Sequence, residues 1–217
     1  MWALSGFFRT MKEKAVVLSG MQVIDLTSGV AGPMVGMILA DFGADVVKVE
    51  RPGGELRRSE PGFVMWNRGK RGVVVDPSDP VQCAWLERLI LGADVCLVRD
   101  SEALGEFGLD IATLTADSPS LVLSLVPPYA GPAPWSPGVE ESNGLLAAVM
   151  AVASRQSSYS GDPVDPTQQH LLYIHAVWAA ACTVAALVER EESGFGQVVS
   201  VSGVQAVLAL HAGAITV

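Results

Sequence analysis

Short runs rich in valine, isoleucine and leucine recur along this chain, and stretches of helical character separate them. This alternation limits the fold more than any other feature. The candidate strands are Gln22–Leu26, Asp45–Val49, Gly72–Val75, Val95–Val98, Leu121–Val126 and Val198–Val201. Several are apolar at nearly every position, as strands of a parallel sheet covered on both faces are. Helices are predicted at Pro33–Phe42, Val81–Leu91, Ser142–Ala153 and, at greater length, from about Gln169 to Glu192. Pro33 after Gly32 suits a helix's first turn, where a missing N–H costs nothing. Gly43 and Gly92 stand where helix C-caps are expected. The pattern predicts an α/β fold, a Rossmann-like, doubly wound and mainly parallel sheet.

The chain's 217 residues suffice for a domain or a domain and a half. With 14 basic and 23 acidic residues its net charge is −9, which argues against a nucleic-acid partner. Three cysteines, Cys83, Cys96 and Cys182, lack metal-ligand spacing and point to a reduced, cytoplasmic protein. Met1-Trp2-Ala3-Leu4 has no basic region before its apolar residues, so no signal peptide is expected. Leu171 to Val188 carries no charged residue, yet no basic cluster flanks it; a buried helix is expected there, not a membrane span. Residues 1–17 read as an N-terminal extension, 18–200 as the Rossmann-like domain, and 201–217 as the start of a C-terminal helix. Loops are expected at Arg51–Gly62, Pro127–Gly138 and Ser154–Gln168.

Gly29, Gly32 and Gly36 follow the first strand as G-x-x-G-x-x-x-G, which is not the dinucleotide fingerprint. They read as a tight strand-to-helix turn. Arg51 falls at the carboxyl edge of the second strand, where open α/β sheets bind ligands, or it simply caps a loop. Asn67-Arg68-Gly69-Lys70-Arg71 gathers positive charge in an acidic protein, as solvated surface or as a phosphate-facing patch. His170 and His175 point apart on a helix, which is poor metal geometry, and no metal site is expected. Trp66, Trp85, Trp135 and Trp178 read as core or interface anchors.

In order and spacing, several blocks resemble the family III CoA-transferases (CaiB/BaiF-type), which include the 2-methylacyl-CoA racemases. The blocks are Leu18–Leu26 running into Gly32-Pro33, Ala40–Gly54 with its Lys48-Val49-Glu50-Arg51-Pro52, Asn67–Arg71, and Glu189–Gln197. The resemblance implies CoA or acyl-CoA as substrate, with no permanently bound cofactor. It also implies backbone contacts to CoA from Val30 and Ala31, a nucleotide contact from Arg51, and phosphate-facing roles for Asn67, Lys70 or Arg71. The acidic chain offers no general attraction to CoA, so such a site must be locally basic. Family members are longer and interlock as dimers with sites built from both subunits. A homodimer, or a heteromer with a full-length member, is the implied assembly, with the family's second domain absent here.

Departures from the family pattern accompany the resemblance. The loop after the fourth strand reads Val98-Arg99-Asp100-Ser101-Glu102-Ala103, and Glu106 stands where a basic residue is common. Val126–Pro132 replaces a glycine-rich loop. The transferase reaction needs a carboxylate that attacks the thioester, and counting back from Glu189 without a gap places Leu172 there. A gap would bring Asp165 or Asp162 to that position. The racemase branch needs an acid/base pair; Glu140 stands in the context of its acidic member, and the matching histidine is absent. Glu140 and Glu141 also read as an acidic first turn of a helix. Two functions follow: a CoA-transferase- or racemase-like protein of acyl-CoA metabolism, active through Asp165 or Glu140 or through a complementing subunit, or a degenerate, non-catalytic homologue that pairs with an active subunit and stabilises or regulates it.

Overall fold

The computed structural model describes residues 16–129, 141–149, 162 and 168–215. Six strands form one sheet: β1 (Gln22–Asp25), β2 (Asp45–Glu50), β3 (Lys70–Val74), β4 (Val95–Val98), β5 (Val122–Leu125) and β6 (Val198–Ser200). Their order is β3-β2-β1-β4-β5-β6 and every pairing is parallel. This is the doubly wound order, whose direction of winding reverses between β1 and β4.

Among the described residues the helices are α1 (Ala31–Asp41), α2 (Gly62–Trp66), α3 (Pro80–Leu91), α4 (Ser101–Gly105), α5 (Ile111–Asp117), α6 (Asn143–Val149), α7 (His170–Ser193) and α8 (Gly203–Ile215). The strand period of two divides their burial between the two faces of the sheet. Val23, Val46, Val95 and Leu97 join a core with α1, α7 and α8. Ile24, Val49, Cys96 and Val98 join a second core with α3, α4 and α5. Burial on both faces explains the nearly continuous apolar runs.

All six expected strands are present, β4 with the expected bounds and the others with shifted ends. β3 starts at Lys70, earlier than the expected Gly72, because its pairing with β2 already begins at Val46↔Lys70. Of the helix expected at Ser142–Ala153, the described part is Asn143–Val149. Short helices α2, α4 and α5 were not expected. Two of them carried a local signal: Asp100 accepts from Ala103 N at 2.9 Å and Asp110 from Thr113 N at 2.9 Å, as aspartate N-caps do. The loop after β2 holds a 3₁₀ turn at Leu56–Ser59.

Helix α7 is long and apolar enough to cross a membrane by length and composition, and half of its most apolar window is buried within the molecule. It packs on α1 and α8, and its end shows why Glu189–Gln197 is a compact sequence block. Gly194 ends α7 in the left-handed conformation, at φ 77°. Gly196 then passes against the backbone of Ser120 and Leu121 and donates to Pro119 O at 2.8 Å. Arg190 pairs with Asp94 at 2.9 Å and ties α7 to the loop before β4.

Candidate functional site

A buried ion network lies at the carboxyl end of β1. Asp25 and Lys48 are register partners on β1 and β2, and both point to the face covered by α1. Lys70 on β3 shares that face. Its Nζ donates to Asp25 Oδ2 at 2.8 Å, Pro33 O at 2.7 Å and Asn67 Oδ1 at 3.0 Å. Lys48 Nζ lies 3.8 Å from Asp25 and donates to the carbonyl of Thr27. Burial pushes the Asp25 carboxyl up, but Lys48, Lys70 and bonds from Lys70 and Thr27 outweigh it and hold it below the usual range. Burial pushes the Lys70 ammonium below its usual value, and the Asp25 charge only partly offsets this.

The network shapes the turn into α1. Asp25 Oδ1 accepts from Thr27 N at 2.9 Å and so fixes the first bend. Gly29 follows at φ 88°, and a Cβ there would lie 2.3 Å from Glu141 Oε1. The first helix amides then need acceptors, and Val30 at the N-cap has no side chain to offer. Two carboxylates from distant segments supply them. Glu55 Oε1 accepts from Gly29 N at 2.6 Å, while Glu141 accepts from Val30 N and, at 3.2 Å, from Ala31 N. Glu55 Oε2 also lies 3.4 Å from Lys48 Nζ.

Above this turn lies a cavity of about 290 Å³, lined by the ends of β1, β2, β4 and β5, the 3₁₀ turn and α4. It occupies the winding-reversal crevice, the usual ligand position in open α/β sheets. Its inner wall carries Lys48, Glu55 and Glu141, and its mouth carries Arg51, Arg57 and Arg99. Burial raises the Glu141 carboxyl to about 7, against the lowering effect of the Ala31 and Val30 amides and of Arg57. Near neutrality this group is present in both protonation states, as general acid/base work requires, and its ionised fraction is a carboxylate.

The expected site residues separate in the structure. Arg51 reaches the cavity, half-exposed, paired with Glu106 and set 5.9 Å from the centre of the Phe107 ring. Val30 and Ala31 are buried, and their amides are held by Glu141. Asn67, Lys70 and Arg71 do not line the cavity. Because β3 starts at Lys70, Lys70 turns inward to Asp25 and Arg71 turns the other way, to Asp45 at 2.5 Å. Lys70 and Arg71 therefore do not share one face. Leu172 is a buried hydrocarbon in the core shared by α1 and α7. Glu140 and Asp165 lie outside the described residues.

Sequence reasoning had read Glu141 only as part of an acidic helix start, and had assigned no role to Glu55 or Lys48. For Lys48 a signal existed: an ammonium in a strand buried on both faces must have a carboxylate partner. His175 is buried as well, with Nε2 2.7 Å from Val201 O, and burial holds its imidazole below the usual value despite that contact.

Known proteins share this frame. The chain is 32% identical over 216 residues to the probable fatty acyl-CoA transferase Rv3272 of Mycobacterium tuberculosis, covering 90% of this chain and 52% of that protein. A crystal structure of Rv3272 superposes with a TM-score of 0.83 at 31% identity, covering 91% of this chain and 58% of that one. The succinate–glutarate CoA-transferase of Agrobacterium fabrum is 29% identical over 204 residues, covering 86% of this chain and 51% of that protein. A CaiB/BaiF family protein from Brucella suis gives a TM-score of 0.81 at 25% identity, covering 93% of this chain and 57% of that one. The chain thus spans about half the length of these relatives. The family model for CoA-transferase family III matches residues 18–216, and the chain belongs to that family.

Proposed function

We propose that this chain carries a CoA-thioester site and takes part in moving CoA between carboxylic acids. The observation that carries this reading is the carboxylate of Glu141, seated on the first amides of α1 in the cavity that Arg51 borders. The reaction needs a carboxylate near the thioester, and Leu172 cannot be one. The thioester enters toward Glu141 and the phosphates stay at the mouth, where the guanidinium groups are. Glu141, when ionised, adds to the thioester carbonyl and expels the CoA thiolate, which leaves an acyl anhydride on the enzyme. The thiolate then attacks the enzyme-side carbonyl of that anhydride, releasing the acyl group as a carboxylate and leaving an enzyme–CoA thioester. An acceptor carboxylate takes CoA by the same two steps. The names of the relatives support a short dicarboxylic or a fatty acid as acyl group.

The test is trapping. The full chain, incubated with succinyl-CoA and quenched with hydroxylamine, is expected to carry a hydroxamate that tandem mass spectrometry maps to Glu141. Mapping to Glu140 or Asp165 would move the nucleophile to those residues. CoA binding with neither an adduct nor CoA exchange would leave the second reading: a non-catalytic partner of an active family member. That reading draws on the hydrocarbon at Leu172 and on the half-length match to the relatives.

A further inference from the structure

The three guanidinium groups that line the cavity are not committed to the same degree. Arg99 turns Nε and Nη2 to Asp100, at 2.7 and 3.5 Å, so its side-on edge is taken. Arg51 gives Nη2 to Glu106. Arg57 gives only Nη1, at 3.2 Å to both oxygens of Glu60. Among the described residues nothing accepts from its Nε or Nη2. Of the three, Arg57 alone keeps both nitrogens of the edge that grips a carboxylate with two parallel bonds. A ligand can use that edge without displacing Glu60. Should Glu60 be displaced, it does not line the cavity and is 40% exposed, so water takes the place of Arg57.

Arg57 stands on the Glu141 side of the cavity. Its 3₁₀ turn begins directly after Glu55, whose Oε1 holds Gly29 N at 2.6 Å. The next two amides, of Val30 and Ala31, are the ones that hold Glu141. Burial raises the Glu141 carboxyl, and the Arg57 charge works against that rise, as a cation close by does. With a thioester at Glu141, the pantetheine arm separates the phosphates of CoA from this point by its whole length. An anion that meets Arg57 there belongs to the acyl group.

We propose that Arg57 is a specificity-determining residue: its open edge takes the far carboxylate of a dicarboxylic acyl group whose thioester faces Glu141. The inference rests on the CoA-thioester reading of the cavity and chooses between the two acyl classes which that reading leaves. A fatty acyl chain offers the same guanidinium no acceptor and takes water from it.

Calorimetric titration of the full chain with unreactive ketone analogues of succinyl-CoA and butyryl-CoA, in which a methylene replaces the thioester sulfur, tests this. The two acyl chains have equal carbon number and differ in the terminal carboxylate, and binding is read without any chemistry at Glu141. The wild type is expected to bind the succinyl analogue about tenfold or more tighter, the scale of a hydrogen bond to a charged group. Arg57→Gln is expected to bring the ratio of the two affinities to within about threefold, whatever loss the two share. Equal binding of the two analogues by the wild type would overturn the Arg57 assignment while leaving the thioester site standing. So would an Arg57→Gln loss equal for both, which would put Arg57 at the phosphates instead. Binding of neither analogue by a chain shown to be folded would overturn the assignment together with the thioester site.

Discussion

Lys70 Nζ lies 2.8 Å from Asp25 Oδ2 although β2 runs between their strands, and both side chains are shut off from solvent. The contact exists because Gly36 of α1 leaves room: a Cβ there would lie 2.9 Å from Asp25 Oδ2 and 3.2 Å from Lys70 Nζ. Removing one member of a buried pair strands the other. Lys70→Ala is expected to cost about 3 kcal/mol, with Lys48 softening the loss, as read from the urea midpoint at unchanged slope. A surface role for Lys70 predicts a change within about 0.5 kcal/mol.

Glu141 gives stability a pH dependence of definite sign. Its carboxyl is raised from 4.5 to about 7 in the fold. Between those values the native state holds a proton that the unfolded chain has released. This stabilisation is fully present below 4.5 and is lost as pH rises through about 7. Glu141→Gln removes the titration. The variant should therefore gain on wild type by about 1 kcal/mol between pH 5 and pH 8, a value reduced for the solvent access the cavity gives. Denaturant midpoints of both proteins at the two pH values check it; a constant difference contradicts the burial of the charge.

Leu172 is a buried core residue of α7. Leu172→Ala should cost about 2–5 kcal/mol through a cavity the core cannot close. Leu172→Asp should be worse, because the new charge would meet the apolar side chains of that core without a partner. Equilibrium unfolding of both variants measures the order. An aspartate variant as stable as wild type would mean that position 172 has polar access.

Gly196 is demanded by contact and Gly194 by backbone angle. A Cβ at Gly196 would sit 2.0 Å from Leu121 O, and backbone cannot yield as a side chain tip can. Gly196→Ala is expected to lose more than about 2 kcal/mol. At Gly194 nothing lies near a Cβ, so alanine costs only the left-handed conformation, about 1 kcal/mol. Thermal midpoints should rank Gly196→Ala well below Gly194→Ala; equal effects would deny the close approach.

Much of the fold was legible from the chain. β4 announced itself by an unbroken apolar run, β5 by one interrupted only at Ser124, and α7 by its length. Short α4 and α5 were missed because five- and seven-residue helices give little periodicity and only their aspartate caps mark them. Arg51 borders the cavity, as its place after a strand at the sheet's carboxyl edge implies. Lys70 and Arg71 fall on opposite faces because β3 begins at Lys70, and strand alternation is not visible in a run of charged residues.

The sequence by itself determined the alternation of strands and helices, the double burial of the sheet and the turn after β1, since these depend on residues a few positions apart. Only the tertiary structure decided which charges meet. Asp25 and Lys70 are 45 positions apart, and Val30 and Glu141 are 111 apart. Local preference acts through neighbouring dihedral angles and a repeating apolar pattern, which a sequence displays directly. The partner of a buried charge is fixed by distance through space, and that distance exists only once the sheet has assembled.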